Sequence, residues 1–355
     1  MKNLATIQRI KKVEKHYNAT ALDIVQVLGW SVVTHRDQFK EGDLVVYVAL
    51  DSILPHTNPA FAFLESKNWR VKTQKLRGHV SYGIVFPLNV LNPNLIIKEG
   101  MDVTKVMGVE KYEKPVPNCG EAKGVFPISL LKKTDEERLQ NVPWVIDELR
   151  GKEIYVATKY DGASITHTNM PVEDPEAINA LDEKYQGFNV CSRNMLLKRP
   201  VGDPDSAFWR ETVRNRVEEA IPEGLAMQSE LIGEGIQKNS HKLVGNDLRV
   251  FNVLDIAQNE PAKLWGLDAM VDFCAMRGWA TADIVFRGKF EDLGCETIED
   301  FVKLADKTKY VTPEGKKVQA EGIVVRLVNP EICPKMSKEL SFKVISAKYA
   351  LKHGE

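Results

Sequence analysis

Short runs of alternating apolar and polar residues dominate the first third of the chain. The clearest runs cover residues 4–16, 21–36, 39–55 and 71–88. Alternation with a period of two is typical of half-buried strands. In the third run, Gly42-Asp43 favours a turn before the β-branched stretch that begins at Leu44. The pattern therefore predicts a small all-β domain at the N-terminal end.

From about residue 143 the pattern mixes strands with helices. Strand-like runs occupy residues 153–162, 225–235, 248–256, 321–328 and 340–346. Longer apolar periodicity predicts helices over residues 205–221 and near 265–278, and the charged segment 132–141 also reads as a helix. The acidic stretch 171–187 is expected to be a solvated insertion. Strands and helices in this mixture predict an α+β domain of catalytic size.

A segment rich in Pro, Gly and Lys separates the two patterns at residues 111–127. Such a composition is typical of a linker. We therefore divide the chain into an N-terminal β-barrel-like domain over residues 1–125 and an α+β domain over residues 126–355.

Composition narrows the class of protein without naming a function. The 355 residues are 43% hydrophobic and 27% charged with a net charge of −1, so a disordered or strongly basic chain is excluded. No apolar run is long enough for a membrane span or a signal peptide. The five cysteines are odd in number and include no C-x-x-C pair, which argues against a disulfide framework and a zinc site. We expect a cytoplasmic protein and, as the simplest state, a monomer.

The first candidate for chemistry is the string Lys159-Tyr160-Asp161-Gly162, which comes directly after the apolar strand IYVAT. A lysine at a strand end beside a tight turn is held rigidly. Its amine can attack an electrophile once it is deprotonated, a form that desolvation or a nearby cation favours. The string alone occurs often by chance, so its weight depends on the residues found later along the chain.

Further polar residues interrupt or border apolar strands in a fixed order. They are Ser192-Arg193-Asn194, Glu230 in SEL, Phe251 and Asp255 in FNVLD, Glu321 in EGIVVR, and Lys343 in SFK. Because side chains alternate across a strand, several of them are expected to point into one groove of a sheet.

In that order, KYDG, SRN, SEL, FNVLD, EGIVVR and SFK resemble the motifs of the covalent nucleotidyltransferases, the superfamily of ATP-dependent ligases and mRNA capping enzymes. The resemblance spans about residues 155–346. With a β-rich module placed before it, the chain looks like the Naegleria-type ATP-dependent RNA ligases. These join an N-terminal OB domain, a β-barrel, to an adenylation domain built on antiparallel sheets with flanking helices.

The resemblance implies a role for each matched residue. Lys159 would attack the α-phosphorus of ATP to form lysyl-AMP, and Lys343 would contact the α-phosphate as a second catalytic residue. Glu321, assisted by Asp161, would position Mg²⁺ or Mn²⁺ largely through bound waters. The remaining nucleotide contacts would come from Gly162, from Arg193 and Glu230 at the ribose and phosphates, and from Phe251 stacked on adenine. The partner would be RNA with 3′-OH and 5′-phosphate ends, including nicked duplexes.

Two positions depart from the family pattern. The last motif usually has two lysines spaced K-x-K, but Ile345 stands at the second place, so Lys348 or an earlier lysine would have to replace it. Leu254 stands where the FNVLD motif often carries an aromatic residue beside its Asp. Either change would tune the affinity for the nucleotide.

The N-terminal domain carries its own signal for nucleic acid. Residues 66–98 contain no acidic side chain, and a basic cluster stands beside Trp69, with Tyr82 and Phe86 further along. The cluster consists of Lys67, Arg70, Lys72, Lys75 and Arg77. Basic groups that track phosphates and aromatic faces that stack on bases suit a single-strand-binding surface. The alternative is a solvated strand face with Trp69 and Phe86 in the core.

Three hypotheses remain open from the sequence. The first is an ATP-dependent RNA ligase. The second keeps the Lys159 chemistry with another acceptor, as in a DNA ligase or a GTP-dependent capping guanylyltransferase. The third is a non-catalytic nucleic-acid-binding protein, in which Lys159, Glu230, Glu321 and Lys343 would not all be needed.

Overall fold

The computed structural model describes residues 3–113, 118–171, 185–257 and 260–353. Most of the acidic stretch predicted as a solvated insertion lies outside the described residues. Within them, none of the helices is long and apolar enough to cross a membrane.

The N-terminal part is a β-barrel-like domain, as its alternating pattern predicts. Its strands are β1 (Ala5–Lys15), β2 (Leu22–Val27), β3 (Trp30–His35), β4 (Leu44–Val48), β5 (Ser52–Ile53), β6 (Gln74–Leu76), β7 (His79–Ser81), β8 (Ile84–Phe86) and β9 (Glu110–Lys111). The main sheet has the order β3-β2-β1-β4-β8 with antiparallel pairing throughout. Its buried side chains, from Leu4 to Val109, form one continuous core.

The C-terminal part adds two larger sheets and flanking helices. Its strands are β10 (Ala122–Val125), β11 (Glu137–Arg138), β12 (Glu153–Lys159), β13 (Ala163–Met170), β14 (Gly187–Ser192), β15 (Met195–Leu197), β16 (Leu225–Gly233), β17 (Asn246–Asp255), β18 (Lys263–Leu264), β19 (Ile284–Lys289), β20 (Lys309–Val311), β21 (Lys317–Gln319), β22 (Gly322–Leu327), β23 (Ile332–Cys333), β24 (Lys338–Glu339) and β25 (Ser341–Ile345). The helices are α1 (Val145–Glu148), α2 (Ala207–Arg214), α3 (Val217–Ala220), α4 (Leu267–Ala275), α5 (Ile298–Lys307) and α6 (Ala347–His353). The α+β class is therefore confirmed.

The two large sheets meet at the predicted nucleophile. One sheet has the order β10-β15-β14-β13-β16-β17-β18, and the other has the order β11-β25-β22-β12-β19. The chain leaves the second sheet at Lys159, the last residue of β12, and enters the first at Ala163, the first residue of β13. Residues 160–162 are thus the crossing between the sheets, which places Lys159 at the boundary of both.

Two of the predicted helices differ from the structure. The segment 132–141 is not a helix: Glu137–Arg138 form β11 in parallel pairing with β25, and a short 3₁₀ turn covers Leu139–Asn141. Asp135, Glu136 and Arg138 of this segment contact Lys343, Arg326 and Asp51 elsewhere in the chain, so it does not behave as a solvated helix. The predicted helix over 205–221 is broken in two, because Arg216 adopts a left-handed φ of 50° between α2 and α3.

The contact between the domains is made largely by the short segment around β11. The amide of Gly29 donates to the carbonyl of Gln140 at 2.9 Å, and the indole of Trp30 donates to Asn141 at 2.8 Å. A Cβ on Gly29 would lie 2.9 Å from that carbonyl, which leaves room only for glycine. The boundary after residue 125 stays a prediction; just before it, β10 pairs with β15 of the C-terminal sheet.

Candidate active site

A cavity of about 760 Å³ lies between the two sheets and opens toward the N-terminal domain. It is large enough for a nucleotide. Of the predicted site residues it is lined by Lys159, Asp161, Gly162, Arg193, Glu230, Phe251, Glu321 and Lys343. The residues that the motif order singles out therefore share one cavity, with the exception of Asp255, which is not in the lining and whose carboxylate accepts a hydrogen bond from Trp265.

Lys159 and Glu321 form an ion pair in the lining of the cavity. Lys159 ends β12, and Glu321 directly precedes the neighbouring strand β22, whose first residue Gly322 stands opposite Lys159. The Nζ of Lys159 donates to Oε2 of Glu321 at 2.6 Å, and the Glu321 side chain is only 7% exposed. The pair fixes the amine at the floor of the cavity.

Gly162 must be glycine because the first sheet packs directly against it. A Cβ at this position would lie 2.4 Å from the carbonyl oxygen of Leu231. The close approach lets the amide of Gly162 donate to Oε1 of Glu230 at 3.0 Å. Gln237 donates to the carbonyl of the same glycine at 3.2 Å. The turn after Lys159 is thereby held from both sides.

Asp161 is buried and bonded through both its backbone and its side chain. Its amide donates to Nε2 of His241 at 3.0 Å, and its carboxylate accepts a hydrogen bond from the hydroxyl of Tyr349. Burial lowers the pKa of His241 to about 4, so the ring is neutral at pH 7 and can accept at Nε2. The assigned role of Asp161 at a metal stays a prediction, because in this structure Tyr349 already binds its carboxylate.

Glu230 is held in an environment that disfavours its charge. Burial raises its pKa to about 7, with Glu321 and Asp161 adding to the effect, although Lys159 and the Gly162 amide oppose it. Three carboxylates thus surround one lysine, which leaves negative charge in excess within the cavity.

This donor set fits a hard divalent cation. Carboxylate oxygens suit Mg²⁺ and Mn²⁺, and the excess of negative charge would be relieved by either ion. Among the described residues no group of three or more ligating side chains is close enough to hold a metal by itself. Glu321, Glu230 and Asp161 could therefore hold such an ion only together with water and the phosphates of a nucleotide.

Lys343 and Arg193 share a single carboxylate, although Lys343 lies on the same sheet as Lys159 and Arg193 lies in the turn between β14 and β15. The Nζ of Lys343 lies 3.2 Å from Oδ1 of Asp135, and a terminal nitrogen of Arg193 lies 3.6 Å from Oδ2. Asp135 belongs to the segment that was wrongly predicted as a helix. It stands in the cavity as the counter-ion of two predicted phosphate ligands.

Phe251 is positioned by a largely buried ion pair that the sequence analysis missed. Arg326 donates to Glu136 at 2.6 Å and to the carbonyl of Phe251 at 2.8 Å. Its guanidinium lies 5.8 Å from the centre of the Phe251 ring. Glu136 also accepts from Ser341 at the start of β25. The pair therefore links the predicted adenine platform to the strand that carries Lys343.

The two departures from the family pattern occupy apolar surroundings. Ile345 is 7% exposed and lines the cavity opposite Gly322. Lys348 is exposed on α6, its amide bonded to Asp306, and it is not among the lining residues. Leu254 packs against the core cluster around Ile256. Lys159 and Lys343 are consequently the lysines of the C-terminal domain that line the cavity.

The residues of the predicted basic cluster in the N-terminal domain differ in their exposure and in their partners. Arg70 pairs with Asp51 at 2.6 Å and lies 3.6 Å above the Tyr112 ring, whereas Lys75 and Arg77 are exposed. Burial, Arg70 and Lys238 lower the pKa of Lys72, and Lys67 donates to a glutamine nearby. Of the aromatic residues considered with the cluster, Phe86 belongs to the core and Trp69 and Tyr82 pack against it. Binding of nucleic acid by this cluster stays a prediction.

The cavity between the two sheets, lined by Lys159 and the other motif residues, agrees with the resemblance to the covalent nucleotidyltransferases that the motif order indicated. Comparison with known proteins identifies the family to which the chain belongs. Residues 152–345, more than half of the chain, match the model of the RNA ligase family, and residues 4–88 match a model of an OB-fold domain. The chain belongs to the RNA ligase family.

Solved structures of an RNA ligase from Naegleria gruberi are similar over the whole length. A mutant with ATP and Mn and a mutant with AMP and Mn each share 27% identity with this chain, with a TM-score of 0.81 and 99% of both chains covered. The same ligase with PPi gives a TM-score of 0.80 at 27% identity and 99% coverage. No curated protein sequence matches the chain.

Proposed function

We propose that this protein is an ATP-dependent RNA ligase that joins a 3′-OH end to a 5′-phosphate end through a lysyl-AMP intermediate. The observation that carries the proposal is the position of Lys159, which ends a strand in a nucleotide-sized cavity that Lys343 also lines, with its Nζ 2.6 Å from Glu321. The cavity suits ATP and a divalent cation, which accompany the similar Naegleria enzyme in its structures.

The first step forms the enzyme intermediate. The lone pair of the deprotonated Nζ of Lys159 attacks the α-phosphorus of ATP, a P–N bond forms, and the bond to the bridging oxygen breaks to release pyrophosphate, while the nitrogen loses one of its two protons to solvent. Glu321 lies within hydrogen-bond distance of Nζ and orients it toward the cavity. Lys343 and Arg193 neutralise charge on the phosphate oxygens when they no longer pair with the carboxylate of Asp135. A bound divalent cation would supply further charge neutralisation at the phosphates.

The second and third steps transfer AMP to RNA and release it. A 5′-phosphate oxygen of RNA attacks the α-phosphorus, the P–N bond to Lys159 breaks, and the RNA end carries a pyrophosphate-linked AMP. The oxygen of an RNA 3′-OH then attacks the 5′-phosphorus, loses its proton and displaces AMP. The first two steps need in-line positioning of the Lys159 nitrogen, which attacks in the first and leaves in the second, and the fixed turn at residues 160–162 provides it.

The residues around the nucleotide have proposed roles that agree with their contacts. Phe251, held by Arg326, stacks on adenine, and Glu230 and Gly162 face the ribose and α-phosphate. Asp161 and Glu321 together hold the cation through water.

Covalent labelling tests the first step. Wild type and Lys159→Ala are incubated with α-³²P-ATP and Mg²⁺ and separated on a denaturing gel; the matched control is Lys348→Ala, whose lysine is exposed and outside the cavity. We expect an acid-labile band in wild type and control and none in Lys159→Ala. A band with GTP and not ATP would indicate a capping enzyme. No band from folded protein that was not already adenylylated would overturn the proposal.

The nucleic acid that accepts AMP is tested with two nicked duplexes of the same sequence, one with ribose and one with deoxyribose at the nick. Sealing of an RNA nick and failure on the matching DNA nick would identify RNA joining, because the 2′-OH is the chemical difference between them. Equal or better sealing of DNA would favour a DNA ligase instead.

A further inference from the structure

The loop between β1 and β2 carries an exposed aromatic ring outside the cavity. Tyr17 is 69% exposed, although tyrosines of globular proteins are usually at least half-buried. Its ring stacks on His16 with 4.9 Å between ring centres and an angle of 24°, and His79 meets it edge-on at 6.1 Å. One face of the Tyr17 ring is therefore covered by protein, and the side chain as a whole is presented to solvent.

The two residues that flank Tyr17 are held by hydrogen bonds, two of them to the β6–β7 hairpin, and the Tyr17 ring packs against this framework. His16 is 5% exposed, and its Nε2 donates to the carbonyl of Leu76 at 3.2 Å while its Nδ1 accepts from the amide of Asn18 at 3.0 Å. The side chain of Asn18 donates to the carbonyl of Arg77 at 3.1 Å. The hydroxyl of Tyr17 lies 3.1 Å from where a Cβ of Gly78 would be. A fixed ring loses little entropy when a ligand stacks on it.

The charge around the ring suits a polyanion. Lys75 and Arg77 on the hairpin are exposed, as are Lys11, Lys12 and Lys15 on β1. The acidic residue within this set, Glu14, pairs with Lys12 at 2.9 Å. Exposed cations beside a stacked aromatic ring form the combination that binds single-stranded nucleic acid without reading its sequence.

We propose that Tyr17 is a stacking platform for an unpaired base of the RNA substrate, with Lys75 and Arg77 on the neighbouring phosphates. The inference rests on the proposed function for the identity of the nucleic acid, and it adds a contact outside the nucleotide cavity. The platform lies in the loop after the end of β1 that is remote from the cavity-lining Thr6 and Gln8, so it engages the RNA at a distance from the cavity and has no part in the formation of lysyl-AMP.

The test compares Tyr17→Ala and Tyr17→Trp with wild type. The matched control is Phe63→Ala, since Phe63 is a second exposed aromatic of the same domain, 59% exposed. Binding of a fluorescein-labelled single-stranded RNA is measured by anisotropy, and lysyl-AMP formation is measured with α-³²P-ATP on the same preparations. Tryptophan emission of Tyr17→Trp, with wild-type emission subtracted, reports stacking directly.

We expect Tyr17→Ala to weaken RNA binding about fivefold to a hundredfold, the range for loss of one base–aromatic stack. Phe63→Ala should bind as wild type, and Tyr17→Trp should keep affinity and lose emission when RNA is added. All variants should form lysyl-AMP at the wild-type rate. If Tyr17→Ala binds RNA as tightly as wild type, the proposal that the Tyr17 ring stacks on a base is wrong. Failure of lysyl-AMP formation in wild type would instead overturn the proposed function, so the two failures are distinguishable.

Discussion

The carboxylate of Asp135 lies 3.2 Å from the ammonium of Lys343 and also reaches Arg193. One acidic side chain therefore neutralises two cations in a cavity proposed to bind the phosphates of ATP. A phosphate that binds Lys343 or Arg193 competes with Asp135 for the same positive charge, so this contact is expected to weaken nucleotide binding.

Replacing Asp135 by Asn is expected to improve nucleotide binding. Because the competing charge is removed and the size is kept, the KM for ATP in lysyl-AMP formation should fall about threefold to fivefold, as for a partly exposed ion pair of up to about 1 kcal/mol. The rate is measured by label incorporation over a range of ATP concentrations. Glu137→Gln, also at the cavity rim but bonded to Asn141, is the control and should leave KM unchanged. A higher KM in Asp135→Asn would mean that Asp135 assists binding.

Glu230→Gln should make the nucleotide-free protein more stable above neutral pH. The folded-state pKa of about 7 lies above the ordinary value of 4.5, so the folded state binds more protons and stability falls as pH rises between these values. Glutamine keeps an acceptor for Gly162 and avoids this loss, which amounts to about 3 kcal/mol at most. The difference in melting temperature between variant and wild type, recorded from pH 5 to 8, should grow with pH. A constant difference would show that Glu230 does not titrate in this range.

Glu136→Gln should destabilise the fold through the charge that it leaves behind. Arg326 would remain largely buried without its counter-ion, at a cost of about 3 kcal/mol in urea unfolding. Glu148→Gln removes an exposed pair with Lys335 and should cost less than about 1 kcal/mol. Burial raises the pKa of Glu136, but Arg326 and Ser341 outweigh burial and hold it below the usual value, so the stabilisation is lost as pH falls. Equal costs in the two variants would contradict a buried pair.

Tyr349→Phe is expected to slow lysyl-AMP formation about tenfold without unfolding the protein. It deletes the hydroxyl that orients the carboxylate of Asp161, and loss of such a bond costs about 1–2 kcal/mol. Tyr47→Phe is the control, because the hydroxyl of Tyr47 is buried without a hydrogen-bond partner among the described residues. Single-turnover labelling at saturating ATP gives the rate. An unchanged rate would show that the hydroxyl of Tyr349 does not help to position the turn at residues 160–162, which follows Lys159.

The sequence predicts the strands and the main motifs well because both have local signatures. Alternation along β1 to β4 reflects burial on one face, and Lys159, Glu230, Glu321 and Lys343 each interrupt or border an apolar strand. The motif order, and not any single residue, identified the class of protein.

The sequence could not predict partners that are distant along the chain. Asp135 and Glu136 looked like members of a solvated helix, but their partners Lys343 and Arg326 lie about two hundred residues further on. Likewise His241 had no ligand spacing, and its contact with the Asp161 amide depends on the path of the loop after β16. Such residues can be found only when the strands are placed beside one another.

The parallel pairing of β11 with β25 has a mechanical consequence. Arg138 lies opposite Lys343 in that pairing, and its guanidinium reaches Asp51 of the N-terminal domain at 3.4 Å. β11, which contacts the N-terminal domain, is therefore also the neighbour of β25, which bears Lys343. The two strands are joined by backbone hydrogen bonds, so a shift of the N-terminal domain that moves β11 would also move the strand on which Lys343 lines the cavity.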